Sequence, residues 1–233
     1  MNEKNVEKHN HLHDIEGKSF EIIKPEEIER RSFEMIAQEL LEQGIVLPEE
    51  QAPITKRAIH TSADFDYAKT LCYSKDAVTL ALKLIWQGAD IVTDTNMGLA
   101  GVNKKVLRAF GGEAHCFMAD EEVAKEAKER GVTRAAVSME RALKLPKPVI
   151  FAIGNAPTAL ISLYEQMKQG GRTPDFIIGV PVGFVNVEAA KELFIDSDIP
   201  YIINRGRKGG SNIAAAICNA LLYMARDNCN ETK

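Results

Sequence analysis

Of the five histidines in the chain, His60 is the one whose neighbours suggest chemistry. It stands in RAIHTSAD (57–64), at the end of a short apolar stretch and before a polar turn, with Arg57 three residues earlier. An imidazole there can exchange a proton near neutral pH, and the hydroxyls of Thr61 and Ser62 could orient it. A histidine that merely caps a turn would have the same surroundings. His9, His11 and His13 alternate along the N-terminal segment and read as a solvated tail rather than a metal site. His115 alternates with Ala114 and Cys116 in a candidate strand and reads as structural. No G-x-S-x-G elbow occurs and no cysteine has an activating context, so catalysis should be proton-based. Asp64 and Asp66 are assigned to a turn and a helix start.

A second set of candidates lies in short segments that follow apolar runs. These are Thr93 to Gly98 (TDTNMG, with Thr95 and Met97), 154–158 (GNAPT, with Asn155, Ala156 and Pro157), 181–184 (PVGF, with Val182, Gly183 and Phe184) and 204–211 (NRGRKGGS). Their Gly, Pro and Asn let backbone N–H groups at helix starts face a ligand, although strand-to-helix turns need such residues anyway. No Asp or Glu occurs at 95–112, 141–164 or 199–226, while acids outnumber bases overall. The last window holds Arg205, Arg207 and Lys208 beside Gly209, Gly210 and Ser211, so an anionic ligand is expected, phosphate and carboxylate both being compatible. It is not a P-loop, because Gly210 separates Lys208 and Gly209 from Ser211, and no G-x-G-x-x-G follows the first strand.

The elements that must position these residues can be read from periodicity. Apolar positions predict helices over 26–42, stopped by Gly44, and over 75–87 before Gly88. Five short apolar runs follow, at 89–94, 113–117, 148–153, 175–180 and 200–204, separated by amphipathic segments. Helix starts are signalled by Asp120 with Glu121 and Glu122, by Asn155 ahead of Pro157, and by Ser211 ahead of Ile213, Ile217 and Leu221. The pattern predicts an α/β fold with a five-stranded parallel sheet between helical layers, an extra N-terminal helical segment, and one domain over 21–233 after a polar arm at 1–20. Ligands of such sheets bind beyond the carboxyl ends of the strands, where the candidate loops fall.

Composition narrows the partners. The 233 residues are 45% apolar and 27% charged, as in ordinary globular proteins. A net charge of −4 argues against nucleic acid as a partner. No apolar run approaches the roughly 20 residues that span a bilayer, and residues 1–18 are too charged for a signal peptide, so a cytoplasmic, membrane-free protein is expected. Cys72, Cys116, Cys218 and Cys229 form no C-x-x-C pair and are expected to be reduced thiols.

The blocks IHTSADFD (59–66), IVTDTNMGLAG (91–101), IGNAPTAL (153–160), IGVPVGFVNVEAAKE (178–192) and NRGRKGGSNIAAA (204–216) resemble those of the precorrin-8X and cobalt-precorrin-8 methylmutases of cobalamin biosynthesis. The resemblance runs from about Ser32 to Met224. It implies a flavodoxin-like, cofactor-free homodimer that moves a methyl group from C-11 to C-12 of the corrin macrocycle, giving hydrogenobyrinate or cobyrinate. It further implies that His60 is catalytic, that Ser32 and Arg57 touch the substrate, and that Arg134 lies near the ring. The residues suit such a ligand: Arg205, Arg207 and Lys208 for its carboxylate arms, and Met97, Ala156, Pro181, Val182 and Phe184 for its apolar ring. A corrinoid carrier and a nucleotide-binding enzyme are the competing classes, the second relying on the glycine loops alone.

Overall fold

The structure, a computed structural model, describes residues 12–21 and 23–231. Residues 1–11 of the expected polar arm, with His9 and His11, lie outside the described residues. The rest of the arm is a hairpin: β1 (Leu12–Ile15) pairs antiparallel with β2 (Lys18–Glu21) across Glu16 and Gly17, both at positive φ, as a tight hairpin turn requires.

Helix α1 (Pro25–Glu42) opens with Pro25 in its first turn and Glu26 and Glu27 at its positive end. It is followed by α2 (Ala52–Ser62), α3 (Tyr67–Thr70), β3 (Leu71–Tyr73), α4 (Ala77–Trp86), β4 (Asp90–Thr93), α5 (Asn96–Gly101), α6 (Lys104–Ala109) and β5 (Ala114–His115). The chain continues as α7 (Glu121–Arg130), α8 (Arg134–Ala142), β6 (Val149–Ile153), α9 (Pro157–Lys168), β7 (Phe176–Gly179), α10 (Val187–Ile195), β8 (Tyr201–Asn204) and α11 (Ser211–Glu231). Gly131 ends α7 in the left-handed conformation, as its position predicts.

The main sheet runs β3-β8-β7-β6-β4-β5. Strands β4 to β8 lie parallel, and β3 pairs antiparallel with β8 at the edge. The predicted five-stranded parallel sheet is therefore corrected to a six-stranded mixed one. The added strand has only three residues, and its LCY sequence is too short to show an alternating pattern. Side chains alternate across the sheet. Ile91, Ile150, Phe176, Ile178 and Ile202 pack on one face with α1, α2, α4 and α11, whereas Val92, Phe151, Ile153, Ile177 and Ile203 pack on the other with α8, α9 and α10. Strands β6, β7 and β8 are buried on both faces and so read as unbroken apolar runs. No helix among the described residues is long and apolar enough to cross a membrane. The four cysteines are free thiols.

Candidate active site

Helix α2 carries Arg57 and His60 one turn apart, and ends where Ala63 adopts a left-handed conformation and donates to the Ile59 carbonyl. His60 is exposed in the last turn, and its ring stacks on Phe33 of α1 with centroids 5.1 Å apart and planes inclined by 25°. The hydroxyls expected to orient it do not. Thr61 donates to the Arg57 carbonyl (2.9 Å) and Ser62 to the Ala58 carbonyl (2.8 Å), both turned back onto their own helix. Phe33 takes that role instead, and it also lies 5.0 Å from the Arg57 guanidinium. Arg57 in turn covers the Tyr223 ring at 5.1 Å and pairs with Glu29 at 2.8 Å. Ser32, next to Phe33, donates to the Ile28 carbonyl at 2.9 Å.

The loops at the carboxyl ends of the parallel strands converge. Thr95 caps α5 by accepting from the Gly98 N–H (3.0 Å), and its hydroxyl shares a 2.7 Å hydrogen bond with that of Ser211 at the start of α11. A Cβ on Gly154 would fall 2.6 Å from the Ser211 Cα, so only glycine allows the loops after β6 and β8 to meet. Gly183 donates to the Arg207 carbonyl (3.2 Å), and the Arg207 guanidinium lies 5.6 Å from the Phe184 ring centroid. Gly209, at φ +159, presses so closely on the Val180 carbonyl that a Cβ would sit 2.0 Å from its oxygen, and Gly210 donates to the same carbonyl at 2.9 Å.

Between β4 and β6 the strand order reverses, which in open α/β sheets is where a ligand crevice opens. Here that place is filled. Asp94, buried, accepts the backbone N–H groups of Gly154 (2.9 Å), Asn155 (2.8 Å) and Ala156 (2.6 Å). Burial pushes its carboxyl up and the three donors pull it back. The cap expected from Asn155 is thus supplied from the neighbouring strand, and these N–H groups are spent within the protein. This removes the phosphate cradle that a nucleotide reading would need at that crevice.

The acid-free windows of the sequence are not acid-free in space. Arg205 lies 3.4 Å from Glu192, and Arg207 lies 3.2 Å from Glu188, both acids being on α10. Lys208 reaches Asp64 and Asp66 at 2.6 Å each, which ties the loop after β8 to the turn that follows His60. The Lys208 ammonium holds the Asp64 carboxyl below its ordinary value, while the two carboxylates hold Lys208 above its own. Beneath the same loop, the fully buried Lys191 of α10 donates to the carbonyls of Gly206 (2.6 Å) and Lys208 (3.0 Å). Burial lowers its pKa to about 8, with Glu188 acting weakly in the opposite direction. Asn204, also buried, accepts from the Thr70 hydroxyl (2.6 Å) and donates to the carbonyls of Arg205 (3.1 Å) and Lys208 (2.9 Å).

Contacts thus link Thr95, Gly183, Phe184, Arg205, Arg207, Lys208, Gly209, Gly210 and Ser211 in one region, joined through Asp64 and Asp66 to the turn after His60. Met97, Val182 and Phe184 are exposed apolar side chains at its rim, being 69%, 47% and 81% accessible. Pro157 begins α9 next to the Asp94-bound Ala156. Arg134 is exposed at the first position of α8, whose cap Thr133 donates to Thr158 of α9 at 3.1 Å. Ser32 stands apart from the loops, on α1 beside the Phe33 stack. The sequence reading missed Phe33, Tyr223, Lys191 and the anchoring roles of Asp94 and Asn204. Among them, only Asp94 and Asn204 carried a signal, a polar residue at or just after the end of an apolar run.

A profile of the precorrin-8X methylmutase family matches residues 27–224. The chain is 41% identical over 211 residues to the cobalt-precorrin-8 methylmutase of Priestia megaterium, covering 91% of this chain and 87% of that one. It is 43% identical over 175 residues to the cobalt-precorrin-8 methylmutase of Salmonella typhimurium, covering 75% and 81% of the two chains. Among solved structures it is similar to the precorrin-8x methyl mutase of Thermus thermophilus, with a TM-score of 0.78 and 37% identity over 87% of this chain and 98% of that one. The chain belongs to the precorrin-8X methylmutase family, isomerases that shift a methyl group within one molecule during cobalamin biosynthesis.

Proposed function

We propose that the chain moves the methyl group from C-11 to C-12 of precorrin-8 or its cobalt form, yielding hydrogenobyrinate or cobyrinate, with His60 as the proton donor and acceptor. The observation that carries this reading is the placement of His60. Its imidazole is exposed in the last turn of α2 and braced on Phe33, and the turn after it is tied through Asp64 and Asp66 to Lys208 in the loop best supplied with cations. The reaction is an isomerisation: the methyl bond at C-11 breaks as the bond at C-12 forms, and no electrons leave the substrate. It therefore asks for shape, exclusion of water and one proton that is lent and returned. His60 protonates the macrocycle, which draws electron density toward the migration terminus, and takes the proton back once the methyl group has moved. Met97, Val182 and Phe184 offer the apolar ring a surface, Thr95, Asn155, Ala156, Pro157, Gly183, Gly209, Gly210 and Ser211 shape the rim, and Arg57, Arg134, Arg205 and Lys208 with Ser32 serve the polar arms.

A homodimer with substrate near the subunit interface fits the apolar side chains left open on α1, where Ile28, Met35 and Leu41 are 51%, 57% and 73% accessible. The test is to mix the purified protein with cobalt-loaded and metal-free precorrin-8 and follow the visible spectrum, since the rearrangement alters conjugation. Multiple turnovers are expected, and a carrier would give at most one equivalent. His60→Ala should slow turnover by roughly 10²- to 10⁴-fold; the wild-type rate in that variant would remove His60 from the mechanism.

A further inference from the structure

Resting on this reading of the site, we propose that Lys191 is a positioning residue for the carboxylate arms of the substrate, holding the 205–210 loop in a form that presents its N–H groups and supplying positive charge from beneath. Two observations lead there. First, the loop spends its carbonyls inward. Those of Gly206 and Lys208 accept from Lys191, those of Arg205 and Lys208 from Asn204, and that of Arg207 from Gly183. The N–H groups that anchor the loop are those of Arg205, bound to the Thr70 carbonyl, and Gly210, bound to the Val180 carbonyl. The N–H groups of Gly206, Arg207, Lys208 and Gly209 take no part in these bonds, which leaves them available to an anion. Second, the charges that the sequence offers to a ligand are already matched. Arg205, Arg207 and Lys208 face Glu192, Glu188 and the Asp64–Asp66 pair, four carboxylates for three cations. Lys191 forms no ion pair among the described residues; its partners are neutral carbonyls, so its charge is less neutralised than theirs.

A buried ammonium whose hydrogen bonds go to carbonyls costs stability through desolvation, which a purely structural strut could avoid with a neutral side chain. The charge is accounted for by what lies above it. The groups facing Lys191 are Glu188 on its own helix and, from the loop, Arg205, Arg207 and Lys208 with their carboxylate partners. Lys208, tied to Asp64 and Asp66, is held above its ordinary value, whereas burial lowers Lys191 to about 8.

The experiment compares wild type, Lys191→Gln and Lys191→Met in two measurements: equilibrium binding of cobyrinate at pH 7 and pH 9, and steady-state turnover of precorrin-8. Glutamine keeps two N–H donors and drops the charge. It should weaken binding and raise KM about tenfold at pH 7, the order expected for one partly screened charge, with kcat changed less than about threefold. Methionine also removes the donors and should lower kcat as well. Wild-type binding should weaken from pH 7 to 9 while that of the glutamine variant stays flat. Wild-type affinity that does not change between pH 7 and 9 overturns the proposal without any variant having to fold, as does a folded Lys191→Gln that binds like wild type. If the wild type fails to turn over precorrin-8 yet binds cobyrinate with this Lys191 dependence, the methylmutase mechanism falls and the assignment of Lys191 as an anion-positioning residue stands.

Discussion

Asp94→Asn isolates the anchor between the two central loops. In the native protein one carboxylate collects three N–H donors at 2.6 to 2.9 Å, with 1% of Asp94 accessible. Hydrogen bonds to a charged group are worth about 1.5–3 kcal/mol each and are not additive when they share one acceptor. Asparagine keeps the volume but turns its amide N–H₂ toward one or two of those donors, so a loss of about 3–5 kcal/mol is expected, each buried donor left unpaired costing about 1–3 kcal/mol. In a chain of this size each kcal/mol moves the thermal midpoint by about 2–4 °C, so the variant should melt roughly 10 °C lower. Denaturant titration at pH 7 measures the loss directly, and amide hydrogen exchange should show the 154–156 amides opening before the rest of the sheet. Burial alone would favour a neutral carboxyl, and asparagine mimics a neutral carboxyl well. A destabilisation below about 1 kcal/mol would therefore refute the reasoning that both Asp94 oxygens must accept from the three converging N–H groups.

Phe33→Leu removes the ring face under His60 and should lower kcat about three- to tenfold, the equivalent of a stacked aromatic pair; an NMR shift of the His60 ring protons should accompany it, and an unchanged kcat would dismiss the platform. Lys208→Met should raise KM and loosen the 205–210 loop in hydrogen exchange. Because the Asp64 carboxyl is held below its ordinary value, the stabilising contact exists above the unfolded carboxylate pKa and is lost as pH falls through the folded one, so wild type and variant should converge on strong acidification. Gly209→Ala places a methyl group against the Val180 carbonyl at a φ that side chains rarely adopt, and should cost about 3 kcal/mol or more in chemical denaturation.

The sequence made the parallel strands legible because β6, β7 and β8 are buried on both faces and bounded by Gly, Pro and Asn, a pattern that needs no tertiary information. The α1 helix was equally legible from its spacing and its Gly44 stop. Strand β3 was hidden by its length, and α2 by having only two large apolar residues, Ile54 and Ile59, so that His60 read as the end of a stretch rather than the last turn of a helix. At the site, the glycine loops announced themselves, but their partners did not. Asp64 and Asp66 meet Lys208 across 144 and 142 residues of chain, and Glu188 and Glu192 meet Arg207 and Arg205 across the α10 to β8 connection. An acid-poor window in one dimension says little about charge in three. Phe33 escaped notice because an aromatic at helical spacing ordinarily means core, and nothing local distinguishes one that braces an imidazole.

The matched ion pairs of the 205–208 loop carry a consequence for selectivity. A ligand carboxylate that engages Arg205, Arg207 or Lys208 must unseat a resident one, so the Coulomb gain is a swap with little surplus. Small di- and tricarboxylic acids, which offer charge and nothing else, gain little from that exchange. A macrocycle that covers Met97, Val182 and Phe184 in the same event gains more, because hydrophobic burial supplies what the swap withholds. On the proposed reading, the resident salt bridges of this loop thus disfavour common metabolic anions and yield to a large ring bearing many acids at once.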